Sequence, residues 1–290
     1  MLGCYIVKRE GSNFLGYSLQ GFLDVVKSQE LQRGKMRCVA YIKTKKMKRL
    51  IFLIVAAVIV NPAWAQWSLD VESGIGFPGY NEVRIPNQTG TTFNFSTDFE
   101  AQGLVIPLRI RPGFTFGEKN HFFALYAPLG INYESNLGFP IAFQGQQFTE
   151  GEVVSGFYKF NSYRLTYRRD LVQTSNWTIG IGLTAKIRDA SVRLESSTQS
   201  ARKDDLGFVP LLHLFTAYHG QGWTAFLEGD GLTGGPGRAF DVFVGGRIPV
   251  FNNLDLKAGY RILEGGADID EVYNFTLINF ATVGLIWQLP

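Results

Sequence analysis

The chain has 290 residues and a formal net charge of +3 at pH 7, and its only two cysteines are Cys4 and Cys38. The first 65 residues hold both cysteines, 11 of the 28 Lys and Arg and 3 of the 25 Asp and Glu, so the remainder has 17 basic and 22 acidic residues and a formal charge of −5. The portion after residue 65 has no cysteine, so it can form neither a disulfide nor a Cys-ligated metal site. Its negative charge gives no support to nucleic-acid binding.

A secretory signal peptide over residues 47–65 is the first element that the sequence predicts. Basic residues within 43–49 precede the apolar run 50–60, and the small-residue site Ala63-Trp64-Ala65 follows, which is the order of a signal peptide cleaved after Ala65. The run of eleven residues is too short for a membrane anchor, since a helix needs about twenty to cross a bilayer core. We interpret residues 1–46 as an upstream extension from a start codon assigned too early; a genuine cytoplasmic extension is the alternative.

From Gln66 onward, apolar and polar residues alternate with a period of two almost everywhere, which indicates an all-β chain. The pattern predicts one antiparallel up-and-down transmembrane β-barrel of about ten strands (8 to 12) over residues 66–290. The predicted strands lie at about 67–77, 103–117, 121–134, 157–170, 177–195, 208–219, 223–231, 238–250, 254–264 and 275–289. Short turns alternate with longer connections, of which 78–102 and 135–156 are the longest. This alternation is typical of outer-membrane barrels.

Ionised residues are frequent on the polar faces of these strands. They would line the lumen of a membrane barrel, whereas in a soluble β-sandwich or lipocalin-like barrel, the structural alternative, they would lie outside. The predicted lumenal charge network consists of Arg109, Arg111, Arg164, Arg168, Lys186, Arg188, Glu228, Asp230, Asp241, Arg247, Lys257 and Arg261. Because about eight strands already enclose a lumen that side chains fill, and because an unpaired ion there is costly to desolvate, we expect a paired network and a largely plugged barrel.

Large aromatic residues on the apolar faces favour the membrane barrel. Those beside the short turns and the termini predict an aromatic girdle of Trp67, Phe114, Phe123, Tyr167, Trp177, Tyr218, Trp223 and Trp287. A second girdle is predicted beside the longer connections from Phe77, Tyr133, Phe157, Phe208 and Phe240. Aliphatic residues, including Leu125 and Leu129, would lie between the two girdles. An aliphatic band between aromatic girdles is typical of a barrel that spans a bilayer.

The chain from 66 to 290 also resembles the small outer-membrane barrels of Gram-negative bacteria in its architecture. Within it, GYNEVRIP at 79–86, GGPGRAFD at 234–241 and GYRILEGGADIDEVYNF at 259–275 resemble segments of a family of such barrels with no assigned activity. The alternating C-terminus resembles the signal that the barrel assembly machinery recognises, although Leu289 stands where an aromatic is usual and Pro290 is additional. The resemblance implies a fold, the cell outer membrane and periplasmic termini, but no reaction.

Signals for catalysis, cofactors or metals are weak after residue 65. His121 and His219 adjoin short turns, and His213 lies mid-strand on the polar face, where we expect it to be hydrogen-bonded within the lumen. Glu264, Asp268, Asp270 and Glu271 crowd one connection and are weak candidates for a calcium site, since hard cations favour dense carboxylates. A solvated acidic loop, bridged by divalent ions to lipopolysaccharide phosphates, is the favoured interpretation. The sequence thus predicts no cofactor and no catalytic residue.

A structural or interaction role is the leading functional hypothesis, with a plugged lumen and with the connections 78–102 and 135–156 as extracellular binding loops. Outer-membrane lipids and lipopolysaccharide are the expected contacts. The sequence does not identify an extracellular ligand. A narrow channel for small, anionic solutes is the first alternative, suggested by Arg109, Arg164, Arg247 and Arg261. A lipid-modifying or proteolytic outer-membrane enzyme is the second.

Overall fold

A computed structural model describes residues 65–289 of the chain. The predictions for the upstream extension 1–46 and for the signal peptide up to residue 64 lie outside these residues. The described chain is all-β, as predicted. Within residues 65–289, no helix has the length and apolarity needed to cross a membrane.

The structure contains fifteen strands in the described range. Their bounds are β1 Ala65–Arg84, β2 Phe93–Asn94, β3 Glu100–Ala101, β4 Leu108–Phe116, β5 Asn120–Ala127, β6 Gly130–Asn136, β7 Ile141–Phe143, β8 Gln146–Phe148, β9 Val153–Gln173, β10 Trp177–Glu195, β11 Ser200–Gly220, β12 Trp223–Gly234, β13 Gly237–Phe251, β14 Leu254–Ile269 and β15 Val272–Leu289.

Ten of these strands close into one antiparallel barrel in the order β1-β4-β5-β9-β10-β11-β12-β13-β14-β15. The barrel closes because β15 pairs with β1 along its whole length, from Trp67 opposite Leu289 to Arg84 opposite Tyr273. After β5, the chain continues as β6, which also pairs with β9. We call the end where every connection is short and where both described termini lie the turn end, and the opposite end, with the two long connections, the loop end.

All ten predicted barrel strands are present, but several reach further toward the loop end than predicted. β1 continues to Arg84, and β11 begins at Ser200. In that region both faces of β11 carry polar residues, as in Ser200–Asp205, so the period-two signal is lost. Pairing with β10 nevertheless continues without a shift to Ser200 opposite Glu195. Backbone hydrogen bonds to a long neighbour, rather than side-chain alternation, maintain these extensions.

The outer face of the barrel is apolar, as in a protein that faces lipid. Trp177 and Trp223 are outside, with 47% and 46% of their surfaces exposed, whereas a soluble barrel would place such side chains within its core. At the turn end, ring contacts join Trp67, Phe114, Phe116, Phe122 and Tyr167 in series and then Trp177, Tyr218 and Trp223. Polar groups bound the band toward the loop end, where Glu264 accepts hydrogen bonds from Tyr80 and Arg238.

One predicted strand, 121–134, has its two faces exchanged. Phe123, assigned to the outer girdle, lies in the lumen beneath the guanidinium of Arg111, 4.8 Å from the ring centroid, and Phe122 takes the outer position. Leu125, Leu129 and Tyr133 are likewise buried inside. The prediction was wrong because Phe122, Ala124 and Tyr126 make the other face equally apolar. The partly buried hydrogen bonds of His121 to Thr115 and Asp170 stabilise this inward orientation.

Candidate functional site

An apolar plug fills the lumen toward the loop end. Its side chains come from the two long connections and from the inner faces of the strands around them. Members of the plug include Phe93, Phe95, Phe99, Ile141, Phe143, Phe148, Tyr133, Tyr158, Val154, Leu194, Ile278 and Phe280, all at most 5% exposed. The connections 78–102 and 135–156, predicted as extracellular binding loops, therefore turn their apolar residues inward.

Local sequence explains how the connections fold over the lumen. β2 pairs with the end of β1 at Val83, while β7 and β8 form a hairpin whose two turn residues, Gln144 and Gly145, have φ of 49° and 77°. Two successive residues with positive φ define the type I′ turn that matches the twist of a hairpin. The two connections are joined through Thr91, whose backbone N–H donates to Ala142 O and whose Oγ1 accepts from Ala142 N, each at 2.9 Å.

Polar contacts tie the rim of the plug to the rest of the loop end. Glu152 accepts a hydrogen bond from the backbone N–H of Thr149 at 2.9 Å and one from Thr198 Oγ1 at 3.3 Å. Hydrogen bonds from Ser196 and from the Thr149 backbone lower the pKa of Glu152 below its usual range. The carboxylate therefore links the second connection to the turn between β10 and β11.

Below the plug lies a charged layer built around two buried carboxylates. Glu72 contacts Arg261 at 2.7 and 3.0 Å and Lys257 at 2.7 Å. Asp241 contacts the guanidinium groups of Arg261 and Arg164 at 2.6 Å each and that of Arg109 at 3.0 Å. Burial at low dielectric makes isolated charges costly, so each cation is stabilised only with its acidic partners in place.

The charged layer continues across the lumen through three more carboxylates. Asp70 contacts Lys257 Nζ at 2.7 Å and Arg111 at 3.2 Å, and Arg111 also contacts Glu228 at 2.7 Å. Asp230 contacts Arg164 at 2.7 Å, Thr184 Oγ1 at 2.7 Å and His213 Nδ1 at 2.8 Å. The layer therefore links side chains of β1, β4, β9, β10, β11, β12, β13 and β14.

Four basic residues of the predicted network lie outside this layer. Lys186 lies 4.8 Å from the centroid of the Phe160 ring, and Arg188 pairs with Asp205 toward the loop end. Arg168 and Arg247 lie toward the turn end, where Arg168 contacts Asp170 at 3.0 Å and Arg247 contacts Asp255 at 3.4 Å. The layer therefore gathers eight of the twelve predicted residues.

The four acidic candidates for a metal site are not brought together. Glu264 pairs with Arg238 at 2.9 Å, Asp268 accepts from Asn87 at 2.7 Å and Glu271 contacts Lys203 at 3.0 Å, while Asp270 is exposed in the turn between β14 and β15. Within residues 65–289, no group of three or more His, Cys, Asp or Glu side chains has a geometry that could hold a metal ion.

A cavity of about 350 Å³ occupies the lumen between the charged layer and the turn end. Asp70, Arg111 and Glu228 of the charged layer form its floor. Its rim is formed by polar residues at the strand ends, namely Gln66, Ser68, Thr115, Thr178, His219, Thr224 and Gln288, and by Glu118 in the turn between β4 and β5. Its walls include Phe123, Phe215, Phe226, Arg168 and Arg247. Sequence alternation places the strand residues among these on inward faces, except Phe123, but it carries no signal for an unfilled space.

Comparison with known proteins shows which solved structures have a similar fold. No protein-family model matches the chain, and no curated protein matches it significantly. The outer membrane protease OmpT from Escherichia coli has a similar structure, with a TM-score of 0.50 and 8% identity over 77% of this chain and 97% of OmpT. The Ail attachment protein of Yersinia pestis (TM-score 0.38, 9% identity, 77% and 99% coverage) and Neisserial surface protein A (0.34, 15%, 78% and 99%) also match.

These structures are small Gram-negative outer-membrane β-barrels, and the chain has the fold of that class. The closed antiparallel barrel of ten strands and the apolar outer face agree with it. At such low identity the likeness concerns the fold alone.

Proposed function

We propose that the protein is a closed outer-membrane barrel with a structural or interaction role, and that solutes do not pass through it. In this proposal the loop end faces the cell exterior, and the turn end, with both termini, faces the periplasm. The observation that carries the proposal is the filling of the lumen by two stacked layers, the apolar plug and the charged layer.

Each layer is suited to block passage by a different physical means. Side chains such as Phe95, Phe143 and Phe148 have no exposed surface, so water would have to displace close-packed rings to pass the plug. In the charged layer, the carboxylates of Glu72 and Asp241 are each in contact with three cations. An open aqueous channel is typical of barrels with about sixteen strands, which have room beyond their side chains.

Conductance in planar bilayers tests the proposal. We expect the refolded protein to insert without producing stable single-channel steps, under conditions in which a general porin in the same bilayer conducts. Stable porin-like conductance would overturn the proposal. Heat-modifiable migration in gels, the usual sign of a folded barrel, shows whether the sample that was added is folded.

The surface available for interaction is then the outside of the loop end, since the apolar parts of the long connections are buried. Arg193 and Arg202 have side chains 46% and 54% exposed, on the extensions of β10 and β11. Guanidinium groups bind phosphate in bidentate fashion, which makes lipopolysaccharide the first partner that we propose. Replacing both arginines with glutamine should weaken co-purification of lipopolysaccharide without changing heat-modifiable migration; unchanged lipopolysaccharide content would contradict this assignment.

The two alternative functions have less support. Arg109, Arg164 and Arg261, considered as anion-attracting residues of a channel, are neutralised by Glu72, Asp230 and Asp241. His213 is 3% exposed and lies within the charged layer, where a polypeptide would not reach it. This position gives no support to a protease activity like the one in the name of OmpT. Swelling of liposomes in small acidic solutes would support the channel. An altered lipid A mass spectrum in cells carrying the gene would support a lipid-modifying enzyme.

A further inference from the structure

The cavity at the turn end is lined by Arg168, whose guanidinium can accommodate an additional hydrogen-bond partner. The side chain of Arg168 is 9% exposed, and its guanidinium lies 3.9 Å from the centroid of the Phe215 ring and 5.4 Å from that of Phe123. Two aromatic faces and the contact of Nε with Asp170 at 3.0 Å fix its orientation. Among residues 65–289, the structure shows no hydrogen bond of good geometry for the Arg168 guanidinium, whose buried Nε lacks one, and the residue lines the cavity.

The buried carboxylates around the cavity, in contrast, already have partners, whereas Glu118 is exposed in the turn at the rim. Asp70 and Glu228 share Arg111 and are further contacted by Lys257 and His213, respectively. Asp170 accepts from His121 Nε2 at 2.9 Å in addition to its contact with Arg168. A second arginine of the cavity, Arg247, is 31% exposed and has a single contact at 3.4 Å. The donors that remain free for a ligand are therefore mainly guanidinium nitrogens.

The geometry points to a binding site for a small organic carboxylate with an apolar body. A carboxylate matches the two-pronged face of one guanidinium, whereas a phosphate dianion would be repelled more strongly by the four carboxylates that line the cavity. Phe226 and Ile286 offer an apolar wall, and the hydroxyl groups of the rim offer further hydrogen bonds. A volume of about 350 Å³ is at the lower end of the range for small-molecule pockets.

This site goes beyond the proposed function, because a closed barrel with no ligand would serve as a structural protein equally well. The site lies in a blind cavity below the charged layer. In the proposed orientation it would collect its ligand from the periplasm.

Isothermal titration calorimetry of the refolded full chain in detergent tests the site, with benzoate as the probe and benzamide as its neutral analogue. We expect saturable binding of one benzoate and at least about tenfold weaker binding of benzamide, since charge-assisted hydrogen bonds are about twice as strong as neutral ones. Equal binding of the two compounds, or no saturable binding of benzoate, would overturn the proposal. So would saturable binding of phenyl phosphate in the absence of benzoate binding.

Variants at neighbouring positions provide the control. Arg168→Gln should weaken benzoate binding by about tenfold or more, while Arg169→Gln, on the outer face beside Asn120, should leave it unchanged. Equal effects of the two substitutions would contradict the site. If Arg168→Gln does not fold, as judged by heat-modifiable migration, the more exposed Arg247→Gln replaces it, with a loss of about threefold expected; an unchanged affinity there would count against the site.

Discussion

The ring of Phe95 stacks on that of Tyr133, with centroids 4.7 Å apart and planes inclined by 20°. Phe95 belongs to a long connection, and Tyr133 belongs to the inner face of β6, which continues from β5 and pairs with β9. Their contact joins the connection to the lumen wall. The loop end of this barrel is therefore closed by its own chain, and the stability of the barrel should depend on that closure.

Removing one aromatic ring from the plug should destabilise the whole barrel. Phe143→Ala leaves a cavity where a fully buried ring was, and such a change costs about 3–5 kcal/mol. Gln147→Ala, in the same hairpin but exposed, should change stability by less than about 0.5 kcal/mol. Urea unfolding followed by tryptophan fluorescence measures both. Equal stability of the two variants would show that the connection does not contribute to the fold.

A side chain at Gly156 should displace Phe95. A Cβ atom built there would lie 2.4 Å from Cε1 of the Phe95 ring, so Gly156→Ala forces the ring or the strand to move, at a cost of about 1–3 kcal/mol. The control is Gly138→Ala, where a Cβ atom would meet nothing within 4 Å. Limited proteolysis should cut the connections of the Gly156 variant faster than those of the control. Identical digestion patterns would argue against close packing at Gly156.

Loss of one central carboxylate should unbalance the charged layer. Asp241→Asn removes the charge that Arg109, Arg164 and Arg261 share, and uncompensated buried charges cost about 3–5 kcal/mol. Asp268→Asn, at the exposed end of β14, provides the same chemical change without burial and should have little effect. The midpoint of urea unfolding should therefore fall for the first variant alone. A shift of similar size in both would place Asp241 outside a stabilising network.

The exchanged faces of β5 can be tested by labelling. The chain has no cysteine after Cys38, so in a background with Cys4 and Cys38 replaced by serine, Phe122→Cys and Phe123→Cys each carry a single thiol. We expect a lipid-soluble maleimide in vesicles to label position 122 and spare position 123, because Phe122 is exposed on the outer face, whereas Phe123 lies in the lumen against Arg111. Preferential labelling of position 123 would restore the predicted girdle.

The period-two alternation of the sequence predicted ten barrel strands, and the structure contains all ten. A strand's alternation is a local property, and where its faces differ, as at Trp67 and Asp70 in β1, the side that faces outward follows directly. The large aromatics near the short turns also follow from local position. The upstream signal segment and its cleavage remain predictions, since they lie outside the described residues.

Only the tertiary structure decided how the lumen is filled. Phe93, Phe95 and Phe99, like Ile141 and Phe143, are spaced by even numbers of residues within connections that lacked a strand partner in the predicted barrel, and that apolar spacing was the available signal for the plug. For β5, both faces are apolar, so contacts with distant residues had to choose between them.

The candidate site shows most clearly which features follow from sequence alternation and which depend on the tertiary structure. Arg164 and Arg168 lie on one strand and on one face, and alternation predicts both in the lumen. Arg164 contacts Asp230 and Asp241, whereas Arg168 contacts Asp170 alone among the carboxylates of the described chain and adjoins the cavity. Which arginine is neutralised and which has free donors depends on residues more than sixty positions away in sequence. Alternation determines the face of a side chain, and the closing of the barrel determines its partners.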